Sequence, residues 1–459
     1  MKDKKVIVLG MARSGIACAK LLLMRGADVT ICDLKTEAAF NGKLDALKAA
    51  GVHFCLGEAH PENLLEGMDA LIVSPGIPVE HPAIVRAKAL GIEVMGEVEY
   101  AFRESAGLLL AITGTNGKTT TTTLVGEIFK AAGRRTFVVG NIGEPYSGSA
   151  AQARVDDVTV CEISSFQMET ASTFHPSICA VLNISEDHLN RHGTMEKYIA
   201  LKERIFENCV GDDVVVLNWE DPVTRDMANR VKCKVSWFSS KNPVPFGAFV
   251  QDGMIVYGTP EANVTVCRAS EVYIPGDHNL QNALAATAMT LAAGIEPGIV
   301  AEVLRTFKGV EHRIEFVREL DGVRWINDSK GTNVDSTFQA VRAMDRPTVL
   351  ILGGSPKKTN YLPLAEELFK CPIEHVVLIG ETAPEIQAAL DKAGFTRYTH
   401  AGSDFKKCLE LCRKLAPKGG NVLLSPACAS FDMFDDYEAR GRIFKGLVNA
   451  MRSEEASRT

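Results

Sequence analysis

Three α/β domains are predicted from this chain, and three observations predict them. A glycine-punctuated strand–turn–helix occupies residues 6–33, a phosphate-loop strand–loop–helix occupies 108–133, and strands alternate with helical stretches beyond Gly309. A chain of 459 residues at ~150 residues per domain also gives about three. The expected division is a Rossmann-like domain over 1–97, a central P-loop ATPase-like domain over 98–308 and a second Rossmann-like domain over 309–459.

In the first domain an apolar run, Val6 to Leu9, ends at Gly10 and leads through Gly15 into a helix reaching Met24. The run is shorter than a signal-peptide core and reads as a strand. A second strand, ADVTIC, ends at Asp33, which stands 23 residues after Gly10, near the ~20 at which an acid meets a ribose in dinucleotide folds. Ala12 stands where the second fingerprint glycine belongs, and its methyl crowds a pyrophosphate. The turn therefore binds some other nucleotide diphosphate or is purely structural. A further strand, ALIVS, runs into Ser74, Gly76 and two prolines, a rigid turn at a strand end where doubly wound sheets take ligands. The strand IEVMG closes the domain, and Glu97 to Arg103 is a connecting helix.

The central domain opens on LLLAITGTNGKTTTTTLVGEIFKAAG, from Leu108 to Gly133. Strand, loop and amphipathic helix follow in the order that a phosphate site requires. Gly114 and Gly117 let the backbone amides of Thr115, Asn116 and their neighbours turn around an anion, and Lys118 supplies a full positive charge. Thr119, followed by Thr120, offers a hydroxyl to magnesium. The general phosphate-loop spacing is met in part, because Ile112 stands where its first glycine belongs.

Downstream, the strand VTVC ends on Glu162, placed either to hold Mg²⁺ or to cap the turn that follows. His188 and His192 share a polar loop and are either metal ligands or solvated side chains. Residues 194–208 are helical by period, with Lys202 on the apolar stripe, where snorkelling to water is the ordinary explanation. Short strands follow from Asp213 to Ile274, among them VVVLN, KVSWF, VTVC and EVYI. Pro275 and Gly276 then launch an alanine-rich helix through Leu291, whose first turn carries Asn279 and Asn282 as caps or as amide edges for a base.

In the last domain, strands are expected at 323–326, 348–352, 375–379 and 421–424. Polar clusters follow three of them, NDSKGTN, GGSPKK and SPACAS, again at strand ends.

Composition narrows the partners. Charged residues at 23% and hydrophobic residues at 46% are ordinary for a globular protein, and a net charge of −7 leaves no surplus of cations for nucleic acid. No run approaches the ~18 apolar residues of a membrane span. The twelve cysteines are scattered without a C-x-x-C pair, as buried thiols of a reducing cytoplasm would be. A cytoplasmic monomer acting on small molecules is expected, with neither nucleic-acid nor membrane partner.

Eight separated motifs, TGTNGKTT, EISSF, DHL with its downstream lysine, PGDHNLQNALAA, EHR, NDSKGTN, LGG with its lysine, and LLSPACASFDMF, resemble the Mur ligases of peptidoglycan synthesis in order and along the whole chain. Within that family the resemblance is to the member that adds D-glutamate. It implies ATP-dependent ligation of D-glutamate to UDP-N-acetylmuramoyl-L-alanine through an acyl phosphate, with two Mg²⁺ ions. Carried over by motif, Gly114, Thr115, Asn116, Gly117, Lys118, Thr119, Thr120, Asn282, Arg313 and Asp328 contact ATP, and Thr119, Glu162, His188 and Lys202 hold metal, Lys202 as a carbamate. Lys118, His188 and Lys202 form the catalytic set. Ser14, Asp33, Ser74, Gly76, Asn141 and Ser164 take the uridine nucleotide substrate, and Thr332, Lys357, Ser430 and Tyr437 take D-glutamate, Tyr437 standing where relatives also carry phenylalanine. With substrates spread over three domains, closure of the last domain is expected to accompany catalysis.

Three other readings lie nearby. Another amino-acid ligase of the same family is opposed by the SPACASFDMF stretch and by the nucleotide-binding first domain. A dinucleotide-dependent oxidoreductase rests on residues 6–33 alone, and a phosphate-loop switch protein would release no carboxylate-dependent ADP.

Overall fold

The computed structural model describes residues 1–40, 44–57, 60–356 and 359–453, which divide into two compact units, Met1–Phe307 and Lys308–Thr459. Each unit is built from α/β layers. The first unit contains two sheets and the second contains one.

The first sheet is parallel throughout, in the order His53–Leu56, Asp28–Asp33, Lys5–Leu9, Ala70–Val73, Glu93–Gly96. Val6, Ile7 and Val8 are fully buried between helices on both faces, which is why the strand reads as a continuous apolar run rather than an alternating one. The order reverses between Lys5–Leu9 and Ala70–Val73, so Gly10 and Ser74 meet at the switch point where such sheets open a crevice.

The second sheet has nine strands. Thr136–Gly140, Val158–Glu162, Leu108–Thr113, Ile178–Val181, Gly211–Asn218, Cys233–Ser239 and Gly247–Gln251 are parallel neighbours, and Met254–Gly258 and Asn263–Arg268 add an antiparallel margin. Because the strands run the same way, Thr113, Glu162 and Leu182 emerge at one end of the sheet although they lie far apart in sequence. The helix Lys118–Ala131 is buried on most of its circumference, including Thr121 and Thr122, because the helix Asp277–Ala292 packs against its far side.

The EVYI segment is not a strand. A 3₁₀ turn covers Ala269–Glu271, and the Tyr273 amide donates to the Leu304 carbonyl at 2.9 Å, so that donor is used by a helix end and not by a sheet neighbour. The helix expected over 194–208 ends at Glu203 and tightens into a 3₁₀ turn, Arg204–Phe206. All twelve cysteines are free thiols.

The sheet of the second unit runs Glu315–Leu320, Val323–Asn327, Asn421–Leu424, Thr348–Gly353, Ile373–Ile379, Tyr398–Gly402. All pairs are parallel except the first. The two strands beyond those expected from sequence, Glu315–Leu320 and Tyr398–Gly402, form its edges, where half-exposed polar residues weaken the apolar signal. Val323–Asn327, Asn421–Leu424 and Thr348–Gly353 are adjacent, so the three polar clusters that follow them leave the same end of the sheet side by side.

Within the first unit, Glu99 ties the helix Glu97–Glu104 to the loop before the strand Ile178–Val181. Its buried carboxylate accepts from the amides of Ser172 at 2.9 Å and of Thr173 and Phe174 at 3.0 Å, and from Arg103 Nε at 2.8 Å. Burial alone would raise its pKa, but the hydroxyl of Thr173, these amides and Arg103 together hold it below the ordinary value. A depressed carboxylate stabilises the fold above its unfolded pKa, and that contribution is lost as pH falls through the folded one. Glu99→Gln should therefore destabilise the protein by about 2–3 kcal/mol near neutrality. The difference in urea midpoint from wild type should shrink once pH drops well below the ordinary glutamate pKa of ~4.3; a gap that is flat with pH would contradict this account.

Candidate active site

The phosphate loop takes its shape from two glycines with positive φ. Gly114 at +146° lets the chain leave the strand Leu108–Thr113, and Gly117 at +83° caps the helix Lys118–Ala131 in the left-handed region that side chains avoid. A neighbouring loop braces it from outside. Asn183 Oδ1 accepts from the Asn116 amide at 2.8 Å while its Nδ2 donates to the Asn116 carbonyl at 3.1 Å. The Thr115 hydroxyl donates to the Ser185 carbonyl, accepts from the Ser185 amide, and lies 3.1 Å from the Tyr198 hydroxyl.

Two lysines converge on one carbonyl. Lys118 Nζ donates to the Gly114 oxygen at 2.9 Å and to that of Thr115 at 2.7 Å, and Lys202 Nζ donates to the same Gly114 oxygen at 2.8 Å. Lys202 does not snorkel. Only 2% of it is exposed, its Nζ lies 4.7 Å over the Tyr198 ring, and its second bond, at 3.4 Å, is to the Thr113 hydroxyl. Burial, joined by the positive charge of Lys118, pushes its pKa well below the ordinary lysine value, with Asp187 and Glu162 opposing.

Glu162, at the end of its strand, is also buried. Its Oε1 accepts from Asn141 Nδ2 at 2.8 Å, whereas Oε2 has no hydrogen-bond partner. A buried carboxylate oxygen without a donor is costly unless a cation completes it, so this group fits a hard divalent ion such as Mg²⁺. Thr119 lies buried one residue into the helix. His188 sits at φ +52°, its Nε2 3.3 Å from Asp187 Oδ2. His192 instead turns inward: its Nε2 lies 3.0 Å from the Ser165 hydroxyl and its Nδ1 3.6 Å from Glu169. Both imidazoles lie against Phe166. Thr120 is buried on the same helix. Asn282 is buried behind the loop, accepting from the Thr121 hydroxyl at 3.3 Å and donating to Asn279 at 3.2 Å. Asn279 in turn donates to the Pro275 carbonyl, and no side chain caps this helix.

At the switch point of the first sheet, the Ser74 hydroxyl donates to the Gly10 carbonyl at 3.0 Å, and Asp33 accepts from the amides of Met11 at 2.7 Å and Lys35 at 2.9 Å. Ser14 lies in the first turn of the helix Arg13–Met24, which no side chain caps. A Cβ on Gly15 would stand 2.0 Å from the Gly10 oxygen, so the third fingerprint glycine is required by packing whatever is bound. Arg13 donates to the Gly143 carbonyl at 2.6 Å, and Arg191, paired with Glu169, reaches the carbonyls of Gly76 and Ile77. These arginines join the first sheet's crevice to the end of the second sheet. Ser164 caps the short helix Ser165–Met168 in a reciprocal box with Gln167.

In the second unit, Asp328 is buried, accepting from the Ser425 hydroxyl at 2.7 Å and the Ile314 amide at 3.2 Å. Burial pushes its pKa up to about 6. Ile314 stands at φ +45°, strained for a β-branched residue, directly after half-buried Arg313. Ser430 is buried, and its carbonyl accepts from the amides of Met433 and Phe434. The Tyr437 carbonyl accepts from Ser329 at 2.7 Å, and its hydroxyl donates to Glu438. The Thr332 amide donates to the Lys330 carbonyl. Lys357 lies outside the described residues.

Sequence reasoning missed the braces: Asn183 and Tyr198 on the phosphate loop, Arg191 on the Gly76 turn, Ser425 on Asp328 and Arg440. The last is 1% exposed, donates to the carbonyls of Ser329, Cys428 and Ala429, and is held by burial at a pKa near 10. An amphipathic helix period does not distinguish such a buried arginine from a surface one.

Three family descriptions match the chain in order: a MurD-like N-terminal domain of Mur ligases over residues 4–96, the Mur ligase middle domain over 112–290, and the Mur ligase glutamate ligase domain over 312–428. A UDP-N-acetylmuramoylalanine–D-glutamate ligase from Caldanaerobacter subterraneus subsp. tengcongensis is 43% identical over 458 residues, covering 98% of this chain and 99% of that protein. The protein of the same name from Pelotomaculum thermopropionicum is 45% identical, covering 98% of both. Among solved structures, UDP-N-acetylmuramate-alanine ligase MurC from Thermotoga maritima shares the fold with a TM-score of 0.59 at 20% identity, covering 98% of this chain and 100% of that one. MurF ligase from Thermotoga maritima, solved in complex with ADP, does so with a TM-score of 0.56 at 16% identity, covering 98% and 96%.

Gly117→Ala tests the loop. The added Cβ would lie 2.2 Å from Asn282 Oδ1 at a backbone angle that alanine resists. The variant should lose about 1–3 kcal/mol of stability and bind nucleotide triphosphate at least about tenfold more weakly, measured by urea unfolding and by calorimetric titration. Wild-type values in both would mean that the loop is not held in this shape.

Proposed function

The chain belongs to the Mur ligase family, and from that membership we infer that it joins D-glutamate to UDP-N-acetylmuramoyl-L-alanine at the expense of ATP, in peptidoglycan synthesis. One observation carries the substrate assignment: the identity to D-glutamate ligases runs nearly end to end, through all three α/β domains, at 43–45% in the relatives compared. The geometry supports the chemistry, because a phosphate loop, a paired-lysine cradle and a buried acid with an open oxygen share one sheet end.

A carboxylate oxygen of the substrate attacks the γ-phosphorus of ATP, the bond to the β,γ-bridging oxygen breaks, and ADP leaves. The amine of D-glutamate then adds to the acyl carbon, and the tetrahedral intermediate expels phosphate as the nitrogen gives up its proton. Lys118 and the loop amides neutralise and orient the phosphoryl oxygens. Mg²⁺, held by Thr119, Glu162, His188 and Lys202, would supply further neutralisation of the transferring phosphate, and we assign two ions. Burial and the charge of Lys118 push the Lys202 pKa well below the ordinary lysine value, which favours the neutral amine that carbamate formation needs. A carbamate there would exchange a cation beside Lys118 for an anion.

Gly114 to Thr120, Asn282, Arg313 and Asp328 are assigned to ATP. Ser14, Asp33, Ser74, Gly76, Asn141 and Ser164 are assigned to the uridine nucleotide substrate, and Thr332, Lys357, Ser430 and Tyr437 to D-glutamate. Residues 1–97, 98–308 and 309–459 are taken as the three substrate-handling domains, in a protein that acts as a monomer in the cytoplasm. No helix among the described residues is long and apolar enough to cross a membrane.

ADP release should require the uridine-linked acid and D-glutamate together, and L-glutamate should not substitute. Turnover with L-amino acids but not with D-glutamate would overturn the assignment. Lys118→Ala should lower kcat by at least about 10²-fold, the scale of removing a principal electrostatic contact to a transition state. Lys202→Ala should lose most activity and regain part of it with added short carboxylates; retained activity would place the lysine outside the chemistry.

A further inference from the structure

We propose that His175, Cys209 and Asp213 form a second metal site, for zinc or a similarly soft divalent cation, at the end of the central sheet opposite the phosphate loop. His175 precedes the strand Ile178–Val181, while Cys209 and Asp213 flank the start of its parallel neighbour Gly211–Asn218, so the three side chains gather where these strands begin. Their ligand atoms all lie within 4.8 Å of one another, and among the described residues no other group of three His, Cys, Asp or Glu side chains comes so close. A tetrahedral zinc ion with bonds of ~2.0–2.3 Å sets its donors ~3.3–3.6 Å apart, so the wider separations close by about 1 Å while the His175–Asp213 pair, at 2.6 Å, opens by rather less.

The arrangement has an organised surround and a way in. The Asp213 carboxylate accepts from the Val210 amide at 2.8 Å and lies 2.6 Å from His175 Nε2. Cys209 is buried, its Sγ 3.3 Å from the Pro176 carbonyl, whereas the His175 side chain is 39% exposed and admits an ion and a water as fourth ligand. Asn208 already joins the same two segments, donating to the carbonyls of Ser172 and Phe174. On binding, the Cys209 S–H bond is exchanged for a metal–sulfur bond and its proton leaves to solvent, while His175 Nε2 gives up the N–H it offers Asp213, the ring taking the Nδ1–H tautomer so that the Nε2 lone pair meets the ion. The ion would staple residues 175 and 209–213 and leave the ligase chemistry alone.

The test is zinc titration of the full-length protein against a chromophoric chelator, with Co²⁺ as the spectroscopic probe. Wild type should take up one tightly held equivalent, release protons, show a sulfur-to-cobalt charge-transfer band, and melt at a higher temperature with zinc. Cys209→Ala should lose the band, and His175→Gln, a half-exposed change that spares the core, should bind at least about tenfold more weakly. Glu162→Gln should keep the band. Absence of tight zinc from wild type, equal affinity in His175→Gln, or loss of the metal in Glu162→Gln alone would each overturn the proposal. If Cys209→Ala fails to fold, His175→Gln decides.

Discussion

The Gly114 carbonyl, shared by two lysines, is the contact on which the rest of the site depends. Lys118 and Lys202 both donate to it at under 3 Å, which brings two ammonium groups together in a place where one of them is almost wholly out of water. Like charges so placed oppose one another, and burial together with the charge of Lys118 pushes the Lys202 pKa well below the ordinary lysine value. The cradle therefore gathers positive charge and backbone amides of the kind that suit an anion. Glu162, with one oxygen fixed by Asn141 and the other unpartnered, makes the complementary demand for a cation.

The opposed demands meet because parallel strands deliver their ends to one edge. Leu108–Thr113, Val158–Glu162 and Ile178–Val181 are neighbours in register, so the loops that follow them emerge together. The first sheet uses the same device with different chemistry: Asp33 and Ser74 spend their hydrogen bonds on the Gly10 turn, which holds the crevice open at the reversal of strand order. The Arg191–Glu169 pair then carries the Gly76 turn toward the second sheet. The turn is held in this way although Ala12 stands where the dinucleotide fingerprint carries its second glycine.

In the second unit, buried polar groups do the work that glycines do in the first. Arg440 gathers the carbonyls of Ser329, Cys428 and Ala429 and so binds the NDSKGTN and SPACAS loops to one helix, Tyr437–Ala450. Asp328, kept near a pKa of 6 by burial, bridges Ser425 and the strained Ile314 turn beside Arg313. Backbone strain of this kind persists only where the surroundings over-determine it, and here a carboxylate–amide bond does so.

The Rossmann-like start, the phosphate loop and the alternating strands were legible in the sequence because each depends on local pattern: apolar runs, glycines at turns and a lysine at a helix start. The family was legible for the same reason, since its motifs are short and contiguous. The edge strands Glu315–Leu320 and Tyr398–Gly402 were not, because half-exposed strands mix polar with apolar residues, and EVYI misled because β-rich composition forms a strand only beside a partner. Only the tertiary structure decided that Lys202 is buried and not snorkelling, that His192 serves Ser165 while His188 faces Asp187, and that Asn183 and Tyr198 brace the loop. A side chain's burial and its charge are set by neighbours that arrive from other strands, and no local pattern records who they are.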